Sequence, residues 1–196
     1  MDEEGKLNDE EEKYLLKLAR ESIQAYLRDG KVLEPETDNP RLKQDSGVFV
    51  TLEEHGQLRG CIGYIGAIQP LYLAVRDNAV NAAVEDPRFP PVTPEELKNI
   101  EIEISVLTRP KLIEAKSADE YLKKIRPNVD GIIIEHRGRS ATYLPQVWEQ
   151  IPDIKDFLGS LCNKAGLQSL AWKEKGAKLF SYQVQAFKES EFKLPG

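Results

Sequence analysis

Residues 47–65 read GVFVTLEEHGQLRGCIGYI, and we predict that the rest of the chain is arranged around them. Mostly apolar segments flank His55-Gly56, a pair that suits a two-residue turn because glycine accepts positive φ. The pattern therefore predicts a hairpin of strands 47–54 and 57–65. The second strand contains two internal glycines and a cysteine. Glycine weakens a strand interior, so its presence indicates a bend or a close approach of another group to the backbone.

Counting outward from the turn gives a predicted register for this hairpin. Val50 is expected opposite Cys61, and Leu52 opposite Arg59. This register places Cys61 on the same face as Val48. Both faces carry mostly apolar residues, so we predict that both strands lie inside a sheet rather than at its edge.

The composition is that of an ordinary globular chain of 196 residues, long enough for one domain with a smaller lobe. The 27 basic and 33 acidic residues give a net charge of −6, which argues against nucleic-acid binding on electrostatic grounds. No apolar run approaches the roughly 18 residues of a membrane span, and the acidic Met1–Glu4 does not resemble a secretory signal. The two cysteines, Cys61 and Cys162, lack framework spacing and predict free thiols in a cytoplasmic protein.

Hydrophobic periodicity predicts helices and strands in irregular alternation. The predicted helices cover residues 9–29, 70–85, 117–125 and 154–165, with a short one after the capping box Thr93–Glu96. Beyond the hairpin, the predicted strands cover residues 100–107, 131–135, 140–144 and 179–187. Without a regular βαβ rhythm, this order favours an α+β fold with a mainly antiparallel sheet flanked by helices.

The first candidate site lies on the glycine-rich strand. Arg59 is a candidate anion anchor, Cys61 a candidate nucleophile, and the backbone at Gly60 and Gly63 is open to a ligand. A nearby arginine favours the reactive thiolate form of cysteine. The alternative is structural: Cys61 is a small buried hydrophobe, and the glycines admit a packed helix.

A second candidate group follows the helix predicted over residues 70–85. Asp86 and Arg88 lie in a proline-rich loop that cannot continue the helix and is rigid enough to hold side chains in place. They are candidates for an acid and an anion anchor. The alternative is that Arg88 satisfies the last helical carbonyls while Phe89 fills the core.

Other chemistry is weakly indicated. Glu101 and Glu103 share a strand face, either as an acid–base pair or as part of a solvated surface. Two histidines and two cysteines without paired spacing do not suit a zinc site, so no metal and no cofactor is predicted. Arg137 and Arg139 flank a predicted hairpin turn and are expected to be solvated.

Five motifs in order closely resemble the AMMECR family. They are LRGCIG at 58–63, DPRF at 86–89, ISVL at 104–107, LPQVW at 144–148 and LCNKAGL at 161–167. The resemblance covers about residues 12–187 and implies an α+β fold of two unequal lobes. We place the larger lobe at residues 1–112 plus 178–196 and the smaller at 113–177. The resemblance also favours the interpretation that the motif residues form a functional site. These residues are Arg59, Gly60, Cys61, Gly63, Asp86 and Arg88.

The resemblance does not supply an activity, and two hypotheses remain. In the first, the protein is an enzyme or enzyme subunit that binds a small anionic substrate in a cleft between the lobes. Arg59 and Arg88 would then be anchors, and Cys61 a nucleophile or redox thiol. In the second, it is a non-catalytic adaptor whose motif surface docks a partner protein. Microbial members of the family accompany Memo-like and radical-SAM proteins, which the resemblance implies as partners.

Overall fold

The structure, a computed structural model, describes residues 6–192. Met1–Glu4, which carry the prediction about the N-terminus, lie outside the described residues. Residues 6–192 contain five α-helices and two four-stranded antiparallel sheets, which confirms the predicted α+β class. No helix in this part of the chain combines the length and apolar character needed to cross a membrane.

The predicted elements form in the predicted order, except that the last strand is divided, as described below, and that a strand at 111–112 and a short helix at 189–192 are additional. The helices are α1 (Asp9–Asp29), α2 (Leu71–Val84), α3 (Ala118–Lys124), α4 (Ile154–Lys164) and α5 (Glu189–Phe192). The strands are β1 (Gly47–Glu54), β2 (Gln57–Tyr64), β3 (Ile100–Leu107), β4 (Lys111–Leu112), β5 (Gly131–His136), β6 (Arg139–Tyr143), β7 (Lys178–Tyr182) and β8 (Val184–Lys188). Short 3₁₀ helices cover Glu96–Asn99, Pro145–Glu149 and Ala171–Lys173.

The chain separates into two compact units. Among the described residues, the larger unit comprises 6–107 and 185–192, and the smaller comprises 108–184. The larger unit contains the sheet of order β2-β1-β3-β8, and the smaller contains the sheet of order β4-β7-β5-β6. The lobe boundaries placed after residues 112 and 177 from the sequence stay a prediction.

In the larger unit, α1 and α2 pack with the first sheet around a shared apolar core. Val48, Val50 and Leu52 of β1 are fully buried, as are Ile102 and Ile104 of β3. Full burial of one such side chain contributes about 1.5–3 kcal/mol. This alternation fixes which face of β1 points to the helices.

The β1–β2 hairpin contains a β-bulge that the sequence analysis missed. Leu52 pairs with Gly60, but its neighbour Glu53 pairs with Leu58, so Arg59 is an extra residue on β2. The predicted pairing of Leu52 with Arg59 is therefore wrong. The turn itself has positive φ at both of its residues, as a two-residue hairpin requires.

The bulge reverses the predicted face of the cysteine. Val50 lies opposite Ile62 rather than Cys61, and Cys61 lies opposite Thr51. Since directly paired residues share a face, Cys61 lies on the sheet face opposite to the one that carries Val50 and the core. The predicted position of Cys61 beside Val48 and Val50 is wrong.

Strand β2 lies at the edge of its sheet. Of the two hairpin strands, β1 lies between β2 and β3, whereas β2 is the first strand in the order β2-β1-β3-β8. The prediction that both hairpin strands are interior is therefore correct for β1 and wrong for β2. An edge strand leaves alternate backbone N–H and C=O groups for other partners.

The last predicted strand, residues 179–187, is divided between the two sheets. Strand β7 belongs to the second sheet and β8 to the first. At the division, the N–H of Gln183 donates to Oγ1 of Thr108 at 2.8 Å. The N–H of Thr108 in turn donates to the carbonyl of Gln183 at 2.9 Å. Both residues belong to the smaller unit, and this reciprocal pair joins the beginning and the end of that unit.

Both glycines of the motif have a packing reason. A Cβ at Gly60 would lie 2.2 Å from the carbonyl oxygen of Ala82, so the absence of a side chain lets α2 approach β2. A Cβ at Gly63 would lie 2.3 Å from the carbonyl oxygen of Val48 and 2.5 Å from Cα of Phe49. At Gly60, the structural alternative weighed from the sequence thus has a direct geometric basis.

The smaller unit has its own apolar core. The rings of Trp148 and Phe157 stack with centroids 3.6 Å apart and an interplanar angle of 4°. The indole N–H of Trp148 donates to the carbonyl of Asp130 at 2.8 Å. Cys162 is fully buried in the same core, and burial raises the pKa of its thiol. A neutral, structural thiol is the expected state there.

We expect Gly60→Ala to destabilise the larger unit by about 2–3 kcal/mol, because the new methyl group would meet the backbone of α2. Gly66→Ala is the matched control. Its Cβ would lie 3.3 Å from a methyl group of Ile68, a side chain that is 71% exposed and free to move. Urea unfolding of both variants measures the difference. Equal stabilities would contradict the packing role of Gly60.

Candidate functional site

The bulge places Arg59 against the segment that follows α2. Its side chain is only 11% exposed. Nε donates to Oε1 of Glu96 at 3.1 Å and Nη2 to Oε2 at 3.4 Å. Glu96 is itself fixed by the predicted capping box, in which Thr93 N–H donates to its carboxylate at 2.8 Å. This N–H and Arg59 together lower the pKa of Glu96.

The guanidinium of Arg59 has unused N–H donors on one of its nitrogens. Its Nη1 atom is buried and has no hydrogen-bond partner among the described residues. A buried donor left unpaired costs about 1–3 kcal/mol. The guanidinium carbon also lies 5.9 Å from the ring centroid of Phe89, within the range of a cation–π contact.

Asp86 joins the end of α2 to the exposed edge of β2. Its carboxylate is only 2% exposed, and Oδ2 accepts the backbone N–H of Cys61 at 2.8 Å. The same carboxylate accepts the backbone N–H of Arg88 at 3.1 Å, Nε at 3.0 Å and Nη2 at 2.7 Å. These bonds, led by the Arg88 side chain, hold the pKa of Asp86 well below its usual range.

Arg88 completes this contact with β2. Its Nη2 reaches the carbonyl of Cys61 at 3.5 Å, so Asp86 and Arg88 together engage both backbone polar groups of the cysteine. The carboxylate of Asp86 raises the pKa of Arg88. The side chain remains 54% exposed and lies 5.4 Å from the ring centroid of Phe89. Its described bonds do not go to helical carbonyls, so the helix-capping interpretation of Arg88 is wrong.

Phe89 does not fill the core either. It is half-buried and stands near the guanidinium groups of both Arg59 and Arg88. Two cations therefore share one aromatic ring. The two carboxylates nearest to them, Asp86 and Glu96, are already bonded to one arginine each.

The thiol of Cys61 is half-buried, in contrast to the fully buried Cys162. The hydroxyl of Thr51 donates to Sγ of Cys61 at 3.4 Å across the hairpin. The charge of Arg88 also interacts with the Cys61 side chain.

The structure thus assembles four of the six site residues named from the sequence: Arg59, Cys61, Asp86 and Arg88. Gly60 and Gly63 shape the backbone beside them, and their part in ligand contact stays a prediction. The sequence analysis missed Thr51 and Glu96 as site residues. Thr51 can be recognised only from the observed strand register, which pairs it with Cys61. Glu96 was part of a predicted capping box, but that motif does not reveal its bond to Arg59.

The other candidates do not form a site of this kind. Glu101 accepts the backbone N–H of Ser190 at 3.1 Å and forms an ion pair with Lys188 at 3.6 Å. Burial, followed by the charge of Glu53, raises the pKa of Glu103. Within residues 6–192, no three His, Cys, Asp or Glu side chains converge as they would to hold a metal ion.

The fold and site define a class of α+β protein with two compact units, in which an Asp–Arg pair braces a cysteine on an edge strand. The AMMECR1 family model matches residues 16–187, and the chain belongs to this family.

The chain is also similar to other proteins and to a solved structure over nearly its whole length. A protein of Thermofilum pendens is 41% identical over 198 residues, covering 95% of this chain and 93% of its own. One from Methanothermobacter thermautotrophicus is 43% identical over 185 residues, covering 93% and 96%. The crystal structure of an uncharacterised protein from Pyrococcus horikoshii has a TM-score of 0.84 and 41% identity, covering 93% of each chain. The names of these relatives state no activity.

We expect Asp86→Asn to lower the free energy of unfolding by about 1.5–3 kcal/mol at pH 7, because charge-assisted hydrogen bonds to Cys61 and Arg88 are lost. The pKa of Asp86 is lower in the folded state than in the unfolded state, where it is near 3.9. The stabilisation is therefore complete above about pH 4 and declines as the pH falls further.

Denaturant unfolding of the wild type and Asp86→Asn from pH 7 to pH 3 tests this pH dependence. The stability difference should narrow towards pH 3. Asp38→Asn serves as the control, because that carboxylate is fully exposed and should leave stability nearly unchanged at every pH. A constant difference for Asp86→Asn would contradict the assignment.

Proposed function

We propose that this protein is an enzyme or enzyme subunit that binds a small anionic substrate beside Cys61. The observation that carries the proposal is the unpaired Nη1 of Arg59, a buried cationic donor in a site that also holds a thiol. An oxyanion accepting this N–H would remove the cost of leaving it unpaired. The exposed guanidinium of Arg88 would supply a second set of donors.

The proposed roles follow from how each side chain is held. Arg59 and Arg88 anchor the anion, and Cys61 acts as nucleophile or redox thiol. Asp86 is a positioning residue, because its carboxylate is fully engaged by Cys61 and Arg88. Thr51 keeps the thiol in place through its hydroxyl. Memo-like and radical-SAM proteins, implied by the family resemblance, are the proposed partners, and the cytoplasm is the proposed location.

Thiol titration of the native protein tests the role of Cys61. We expect one thiol per chain to react with Ellman's reagent, because Cys61 is half-buried and Cys162 is fully buried with a raised pKa. Cys61→Ala should abolish the native reaction and Cys162→Ala should preserve it. Arg88→Gln should slow it about threefold or more, because the doubly anionic reagent loses a cation near the thiol. The control Arg28→Gln removes an exposed charge on α1.

The catalytic role of Cys61 would be contradicted if Cys61 reacted only after unfolding and the Cys61→Ala protein behaved as wild type. Sulfate or citrate at millimolar concentration should slow native labelling if the anion binds beside the thiol. The same protection in the Arg59→Gln variant would show that Arg59 is not an anchor.

A second candidate function is a non-catalytic adaptor that docks a partner protein. It is favoured by the apolar and cationic groups at the edge of β2. Leu58 is 44% exposed beside Arg59, and half-buried Phe89 lies with Arg88. Arginine and aromatic side chains are enriched among residues that dominate protein interfaces.

Native mass spectrometry of the protein co-expressed with a Memo-like and a radical-SAM protein separates the two functions. The enzyme proposal predicts a small-molecule adduct that is missing from the Arg59→Ala/Cys61→Ala variant. The adaptor proposal predicts a protein complex without such an adduct, and the complex should be lost on Arg59→Glu. A complex that survives Arg59→Glu would count against docking through this surface.

A further inference from the structure

The smaller unit contains a cavity that the proposed function does not use. Its volume is about 390 Å³. It is lined by the tip of the β5–β6 hairpin, including residues 136–140, and by Gly176 and Lys178 at the start of β7. All of these residues belong to the same compact unit. The sequence pattern alone predicts that the arginines of this turn are solvated.

Two arginines of the turn line the cavity, and each is oriented by one hydrogen bond. Nη2 of Arg137 donates to Oε2 of Glu174 at 2.8 Å, and its side chain remains 71% exposed. Nη1 of Arg139 donates to the carbonyl of Gly166 at 2.8 Å. Each guanidinium has five N–H donors, so most of them remain available to a ligand.

Lys178 supplies a third cation from the other wall. Its ammonium group makes no hydrogen bond or ion pair with any residue between 6 and 192. It lies opposite Glu135 in the β5–β7 register, but without an ion pair between the two side chains. Two carboxylates lie near the cavity. Glu135 lines it, and Glu174 already contacts His136 and Arg137.

His136 forms a buried part of the wall. Its side chain is only 6% exposed, and Nε2 lies 3.0 Å from Oε2 of Glu174. Glu174 thus holds both His136 and Arg137. A wall built in this way keeps its polar groups in place before a ligand arrives, which lowers the entropic cost of binding.

The charge of the smaller unit has the opposite sign to that of the whole chain. Residues 108–184 contain 13 Lys and Arg against 9 Asp and Glu, a net charge of +4. The remaining residues contain 14 basic and 24 acidic side chains, a net charge of −10. The net positive charge of the smaller unit therefore favours the approach of an anion to this cavity.

We propose that this cavity binds the phosphate group of a small phosphorylated molecule. Three cations suit a doubly charged group with several oxygens better than they suit a single carboxylate, and the guanidinium fork matches phosphate geometry. The cavity is larger than a phosphate group and leaves space for an organic moiety. A nucleic-acid strand would need a longer basic surface than this turn provides. The inference is independent of the function proposed for Cys61.

Titration of the ¹⁵N-labelled full chain with inorganic phosphate and ribose 5-phosphate, followed by NMR, tests this site. Ribose is the neutral counterpart. Both phosphates should shift the resonances of residues 136–140 and 176–178, and ribose should not. Arg137→Gln/Lys178→Gln should weaken ribose 5-phosphate binding at least about tenfold, because two charge-assisted contacts are lost. The control Lys123→Gln/Lys155→Gln removes two exposed charges of the same unit and should change affinity less than about twofold.

Lys178→Glu provides a second variant that breaks no bond of the folded protein and should also weaken binding. The proposal is overturned if the phosphates leave residues 136–140 and 176–178 unshifted, or if both site variants bind like the control. It is equally overturned if a single-stranded oligonucleotide binds at these residues more tightly than ribose 5-phosphate, since the cavity would then serve a macromolecule.

Discussion

A single extra residue in β2 determines the geometry of the motif strand. Because Arg59 bulges out of the ladder, Gly60 and Cys61 each point to the face opposite to the one that simple alternation gives. Gly60 then meets the backbone of α2, which needs a position without a side chain. Cys61 turns away from the core, and Arg59 reaches Glu96 beyond the end of α2. Close packing, thiol exposure and the ion pair of Arg59 with Glu96 all depend on this one irregularity.

The parts of the fold that local chemistry controls were predictable from the sequence. The turn at His55-Gly56 and the capping box at Thr93–Glu96 both formed as expected, because their residues satisfy neighbouring backbone groups. The bulge was not predictable, since it reflects the demand of a distant helix for a bare backbone. The division of the last strand at Gln183 was missed for a similar reason. Its partner, Thr108, is far away in the chain.

The candidate site was predicted in composition but not in arrangement. The family motifs singled out Arg59, Asp86 and Arg88 as residues, but only the folded chain shows that two of them bond to one another and brace Cys61. Spacing alone could not show that Arg88 prefers a carboxylate and a strand carbonyl to the end of its own helix. The cationic turn of the smaller unit could not be recognised as a site from the sequence, because charged residues at hairpin tips are usually solvated. Its proximity to Lys178 depends on the β5–β7 register, which the sequence does not reveal.

The brace formed by Asp86 and Arg88 has a consequence for the behaviour of the protein at high concentration. Edge strands expose unpaired N–H and C=O groups that can recruit a strand from another molecule and begin aggregation. Here the carboxylate and guanidinium occupy those groups at Cys61, where a neighbouring strand would bond. Two charged side chains take the place of the missing strand at that position. The pair that positions the thiol therefore also discourages self-association along this edge, and solubility and site geometry are coupled through the same two residues.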